Sequence, residues 1–152
     1  MRTRFVRNIL VVAALAGVNG ASPAFAQNTR PRKMPHTAVD HPDFVAASVA
    51  TFVSNSDVLI GVATGGVAKA YLAADLSQHG VVHDQMADGP IAVTWCGICN
   101  TGLVFRAEAK GQVLHFDSEG MEGLVGGNEV FKDRETGSRW QQSTATAISG
   151  PL

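Results

Sequence analysis

Cys96 and Cys99 are the only cysteines in the chain, spaced Cys-x-x-Cys within Thr94-Trp95-Cys96-Gly97-Ile98-Cys99. Two thiols at that spacing can close a disulfide or clamp a soft metal. Two histidines extend the pattern. His79 and His83 stand four residues apart, so on a helical turn they share one face. The whole run is His-x3-His-x12-Cys-x2-Cys, the ligand inventory of a Cys2His2 site in reversed order. Thiolate with imidazole suits copper(I) or zinc. Met86 and Met121 could add a thioether, which leans towards copper. The first reading is therefore a soft-metal site of His79, Cys96 and Cys99, with His83 as an optional fourth ligand.

A second reading is thiol–disulfide exchange through Cys96 and Cys99, with Cys96 as the attacking sulfur. Trp95-Cys96-Gly97-Ile98-Cys99 is similar to the thioredoxin active site, where the first cysteine opens a helix and the dipole stabilises its thiolate. Here Asn100 to Phe105 reads as a turn into a strand, and the only proline after Cys99 is Pro151. A redox dithiol would thus sit on another scaffold. The third reading is a non-catalytic interaction domain stapled by a short disulfide, whose small loop restrains little chain entropy. No nucleophilic serine motif, phosphate loop or His-Glu-x-x-His pattern is present, so no enzyme class is assigned. His115 reads as a cross-strand polar residue, with a further ligand as the sharper alternative. Asp133-Arg134-Glu135 reads as a charged turn.

The elements that must position these residues are mostly strands. Val58–Val62 and Val67–Leu72 flank Thr64-Gly65-Gly66 and read as a hairpin. Ile91–Trp95, Gly102–Arg106, Gln112–Phe116, Val130-Phe131 and Ser138–Gln142 read as further strands, separated by glycine and charged turns. Asp43–Ser54 reads as one short helix, with Phe44, Ala47 and Phe52 near helical spacing. The expected fold is mainly β: an antiparallel sheet, or a small sandwich or barrel, with one short N-terminal helix.

The N-terminus carries Arg2, Arg4 and Arg7, then an apolar run from Ile9 to Val18, then Ala24-Phe25-Ala26. This is the pattern of a secretory signal peptide over residues 1–26. The apolar run is too short for the ~20 residues a membrane span needs. Residues 27–39 are polar and basic with two prolines and read as a flexible linker. Residues 40–152 form one domain. The chain has 12 Lys and Arg against 13 Asp and Glu. Loss of the three leader arginines leaves nine against thirteen, a net charge of −4. Such a domain lacks the basic face that nucleic acid requires. The expected location is periplasmic or secreted, an oxidising compartment that favours the disulfide.

Several of these segments together resemble one family. The Val58–Leu72 hairpin, the Ile91–Phe105 cysteine segment, Asp133-Arg134-Glu135-Thr136-Gly137-Ser138-Arg139-Trp140 and the final Gly150-Pro151-Leu152 occur in the order seen in the bacterial domain of unknown function 3179 family. The resemblance covers roughly Phe44 to Leu152. It implies that the cysteine pair and His79 belong to the family pattern, which runs approximately Trp-His-Glu-x-Val-Asn-Asp where this chain has Gln78-His79-Gly80-Val81-Val82-His83-Asp84. Tryptophan, glutamate and asparagine are replaced, and His83 is particular to this sequence. The portable ligand set is then His79, Cys96 and Cys99. Family members usually continue past Gly-Pro-Leu, so the domain is expected to be C-terminally shortened.

Overall fold

The computed structural model describes residues Thr3–Val6, 36–120 and 124–152. The expected cleavage point after Ala26, most of the leader and most of the 27–39 linker lie outside them.

Among the described residues the chain is mainly β with antiparallel sheets and one short α-helix, as expected, and no closed barrel forms. Strand β1 (Thr3–Val6) falls within the expected leader. It lies between β2 (Phe44–Ala46) and β4 (Val67–Leu72), antiparallel to the first and parallel to the second. Strand β3 (Leu59–Thr64) pairs with β4 as the expected hairpin. Its turn residues Gly65 and Gly66 both have positive φ, 54° and 76°, the combination that matches the twist of a two-residue connection.

The short helix is α1 (Ala73–His79), not the Asp43–Ser54 segment. That segment gives β2 followed by a 3-10 turn at Ala47–Val49 with no buried residue. Only Phe44 of its apolar positions packs, against the core beside Tyr71, while Val49 and Phe52 stay exposed, so no helical face is buried and strand pairing decided the conformation. Helix α1 stops at Gly80, whose φ is 73° and whose N–H bonds the Leu76 carbonyl. A Cβ there would stand 2.7 Å from Ser118 Cβ, so glycine both ends the helix and lets another strand approach.

The centre is a meander of β5 (Val81–Met86), β6 (Gly89–Cys96) and β7 (Thr101–Arg106). Alternation along β5 and β6 sends Val82, Met86, Ile91 and Val93 to one face, where they pack with Tyr71 and Leu76 from the hairpin and helix. Val81 and Ala92 project to the other face and pack with Ala38, Ala107 and Phe131. Both faces are therefore covered, which is why Val81, Val82 and His83 are buried in succession. The second covering layer is the C-terminal sheet β10 (Phe116–Ser118), β11 (Val130–Asp133), β12 (Arg139–Gln141) and β13 (Thr146–Ser149), all antiparallel. The expected Gln112–Phe116 strand is divided. Its start forms β9 (Gln112–Val113), paired with β8 (Glu108–Ala109) in a small separate hairpin, and Phe116 opens β10.

Candidate functional site

Strand β6 ends at Cys96 and β7 begins at Thr101, with Cys96 opposite Thr101 across the pair. The intervening residues make the tight turn that joins antiparallel neighbours. Cys96 and Cys99 are joined there by a disulfide, their Cα atoms 5.2 Å apart. The two sulfurs have different surroundings. Cys96 is buried at 2 % exposure, Cys99 is half-buried, and Ile98 between them is 62 % exposed. The Cys99 backbone N–H donates to Cys96 Sγ at 3.1 Å. The Thr101 hydroxyl donates to the Cys99 carbonyl at 3.0 Å, and Gln142 Nε2 donates to the Thr101 carbonyl at 3.2 Å. The turn is thus anchored to both the meander and the C-terminal sheet.

The histidines are held elsewhere. His79 lies in the last turn of α1, and its Nδ1 donates to the Thr37 carbonyl at 2.7 Å. On the same helix Ser77 faces the disulfide turn, with its Oγ 3.3 Å from where a Gly97 Cβ would stand. Two residues further along, His79 is turned by about 200° around the axis. His83 is not on that helix. Gly80 breaks it, and His83 sits inside β5 opposite Ala92. The shared helical face expected of His79 and His83 does not form. Among the described residues no group of three or more His, Cys, Asp or Glu side chains is placed to hold a metal ion.

His83 is instead the centre of a polar network. The Phe116 N–H donates to its Nε2 at 2.8 Å, so that nitrogen carries a lone pair. The proton is on Nδ1, which donates to Asp40 Oδ1 at 2.9 Å. Burial pushes the His83 pKa down, and the hydrogen bond to Asp40 only partly offsets it. Burial also pushes the Asp40 carboxyl up, but hydrogen bonds from Arg134 and His83 outweigh it and hold the group below its ordinary range. Arg134 spans Asp40 and Asp117 at 2.7 Å each. His115 stacks edge-on to His83, with ring centroids 5.2 Å apart. Its ring and its backbone N–H both donate to the Glu135 carboxylate. Asp40, His41, Asp84 and His115 line a cleft of about 400 Å³ beside His83.

Asp133-Arg134-Glu135 is thus more than a solvated turn. Asp133 is fully buried and accepts bonds from Trp140 Nε1, the Thr136 hydroxyl and the Thr136 and Gly137 N–H groups. The contacts of Asp40 with His83 and of Glu135 with His115 join positions 43 and 20 residues apart. Local spacing carries no signal of them.

A model of one protein family matches residues 33–152, and its description is "Protein of unknown function (DUF3179)". Searches of curated proteins and of solved structures find no match. The family match spans the hairpin, the cysteine turn, the buried Asp133 and the terminal Gly-Pro-Leu, and the chain is a member of the DUF3179 family.

Proposed function

We propose that the chain is an exported thiol–disulfide exchange protein on a non-thioredoxin scaffold, with Cys99 as the sulfur that meets its partner. The observation that carries this is the asymmetry of the pair: Cys99 reaches the surface, whereas Cys96 is buried and accepts the Cys99 N–H. An incoming protein thiolate attacks Cys99 Sγ and the bond to Cys96 breaks. The electron pair leaves on Cys96 as a thiolate, which the N–H already pointing at it stabilises. A second thiolate of the partner then attacks the partner's own sulfur in the mixed disulfide and frees Cys99. The partner dithiol is oxidised to a disulfide and the Cys96–Cys99 pair is reduced. The exposed Ile98 beside Cys99 supplies an apolar contact for that partner. This assignment reverses the expectation that Cys96 is the contacting sulfur. Export rests on the Arg2/Arg4/Arg7, apolar, Ala24-Phe25-Ala26 pattern, which would provide oxidising surroundings.

Equilibration against glutathione and dithiothreitol couples tests the proposal. A potential well above about −300 mV is expected, and one below it assigns the pair to a structural staple. Cys96→Ser should form a stable mixed disulfide with glutathione, and Cys99→Ser should form it far more slowly because Cys96 is buried. Equal rates would sink the assignment of roles. The soft-metal reading requires reduction of the bond and release of His79 from Thr37. Titration of the reduced protein with copper(I) or zinc, alongside His79→Ala, measures whether those three residues bind as a set.

A further inference from the structure

A second tight turn stands beside the disulfide turn. Val125 and Asn128 pair across it through two backbone hydrogen bonds, at 2.9 and 3.2 Å. Gly126 and Gly127 between them both have positive φ, 61° and 76°, the conformation of a two-residue connection. Gln141 Nε2 of β12 donates to the Val125 carbonyl at 2.8 Å. Asn128 Oδ1 accepts the Glu129 N–H at 3.1 Å, which orients the side-chain amide. Asn128 Nδ2 then lies 3.5 Å from the Thr101 hydroxyl, and that hydroxyl donates to the Cys99 carbonyl. Directly opposed residues of an antiparallel pair project to the same side. Val125 is therefore on the side of its hairpin that Asn128 turns towards the cysteines. The two turns meet at Cys99, and each brings an exposed apolar residue: Ile98 is 62 % exposed and Val125 38 %. Neither residues 97–101 nor residues 124–128 include a charged side chain.

From this juxtaposition we infer that the exchange partner is a polypeptide dithiol whose attacking cysteine has an apolar neighbour, received by Ile98 and Val125. The inference rests on the thiol–disulfide proposal and names its substrate class. An apolar side chain laid against two exposed apolar residues leaves water, which favours the encounter. With no charge on either turn, a charged thiol gains no ion pair there, and an apolar segment buries no unpaired charge. Hydrogen bonds hold the Val125–Asn128 turn to β12 and anchor the disulfide turn through Gln142, so the surface is in place before the partner arrives. The sulfur chemistry is unchanged. The partner thiolate bonds to Cys99 Sγ, the electron pair leaves on Cys96, and the partner's second thiolate closes its own disulfide and releases Cys99.

The test uses two uncharged dithiol peptides that differ only in the residue before the first cysteine, leucine or serine. Each is mixed with the oxidised full chain, and free protein thiols are counted by alkylation and mass over time. Each rate is divided by that peptide's rate with oxidised glutathione, which removes differences in thiol reactivity. The leucine peptide is expected to react about tenfold faster, as partial burial of one leucine side chain allows. Ile98→Ser and Val125→Ser change exposed turn residues, so the fold should survive, and each should cut the ratio to about threefold or less. Val49→Ser, an equally exposed change in the distant 3-10 turn, should leave the ratio at its original value. Equal rates for the two peptides, or a ratio that Val49→Ser lowers as much as Val125→Ser does, overturn the inference while exchange itself stands. No reduction by either peptide overturns the exchange proposal and this inference with it.

Discussion

The Phe116 backbone N–H and His83 Nε2 meet at 2.8 Å, and this one contact fixes the tautomer of a buried histidine. It also latches β10 to β5, because His83 has its other nitrogen on Asp40. A proton added at Nε2 would turn an acceptor into a donor facing a donor. Both ring nitrogens of His83 are thus engaged by hydrogen bonds in this fold.

The first prediction concerns acid. The His83 pKa is lowered in the fold, chiefly by burial, from an ordinary value of 6.5. The unfolded chain then takes up a proton that the folded chain refuses, so stability falls as pH drops below the unfolded value. The loss ceases once pH passes the lowered folded value. The depressed Asp40 carboxyl contributes a separate loss at lower pH, as the fold's carboxylates are protonated. Urea unfolding between pH 7.5 and pH 5 should show the first fall. His83→Gln should lower stability at pH 7.5 by about 1–3 kcal/mol and flatten the slope. An unchanged slope in the variant would assign the fall to other groups.

Asp133→Ala should be among the most damaging single changes. The carboxylate is fully buried, and four donors converge on it from Trp140, Thr136 and Gly137. Its removal leaves those donors without their acceptor, at a cost of about 3 kcal/mol or more. Equilibrium denaturation measures it. A cost under about 1 kcal/mol would mean that water replaces the carboxylate at no loss.

Two glycines separate backbone strain from contact. Gly66 and Gly80 have similar φ values, 76° and 73°. A Cβ at Gly66 meets nothing within 4 Å, whereas one at Gly80 stands 2.7 Å from Ser118 Cβ. Gly66→Ala should cost about 1 kcal/mol, the backbone penalty alone. Gly80→Ala should cost at least about 2 kcal/mol, because β10 must also move. Equal losses would show that the approach of Ser118 to the helix end relaxes freely.

Reduction of the disulfide should leave the fold intact. The closed loop is short, so its chain-entropy contribution is about 2 kcal/mol or less. The turn keeps its anchors through Thr101 and Gln142. Calorimetry with and without dithiothreitol should show a small drop in Tm and a single transition. Loss of the transition on reduction would make the pair indispensable to folding.

Much of the architecture was legible along the chain. Alternation and glycine turns located the β3–β4 hairpin, β6, β7, β11 and β12, because strand period and turn chemistry are local. Helix α1 was not visible: Ala73–His79 is only seven residues long, and its end at Gly80 depends on a strand packing beside it. Strand β5 was obscured for a related reason. Covered on both faces, it lacks a clean alternation, and the i,i+4 spacing of His79, which ends α1, and His83, inside β5, suggested a helix.

By itself the sequence determined the mainly β character, the family and the Cys-x-x-Cys spacing, since all three depend on residues close together in the chain; whether the two sulfurs are bonded was left to the structure. Tertiary structure alone decided what surrounds each of them. It buried Cys96 and left Cys99 near the surface, turned His79 towards Thr37, and enclosed His83 with Asp40 and Phe116. Those outcomes depend on burial and hydrogen bonding between segments far apart in sequence, which no local spacing encodes.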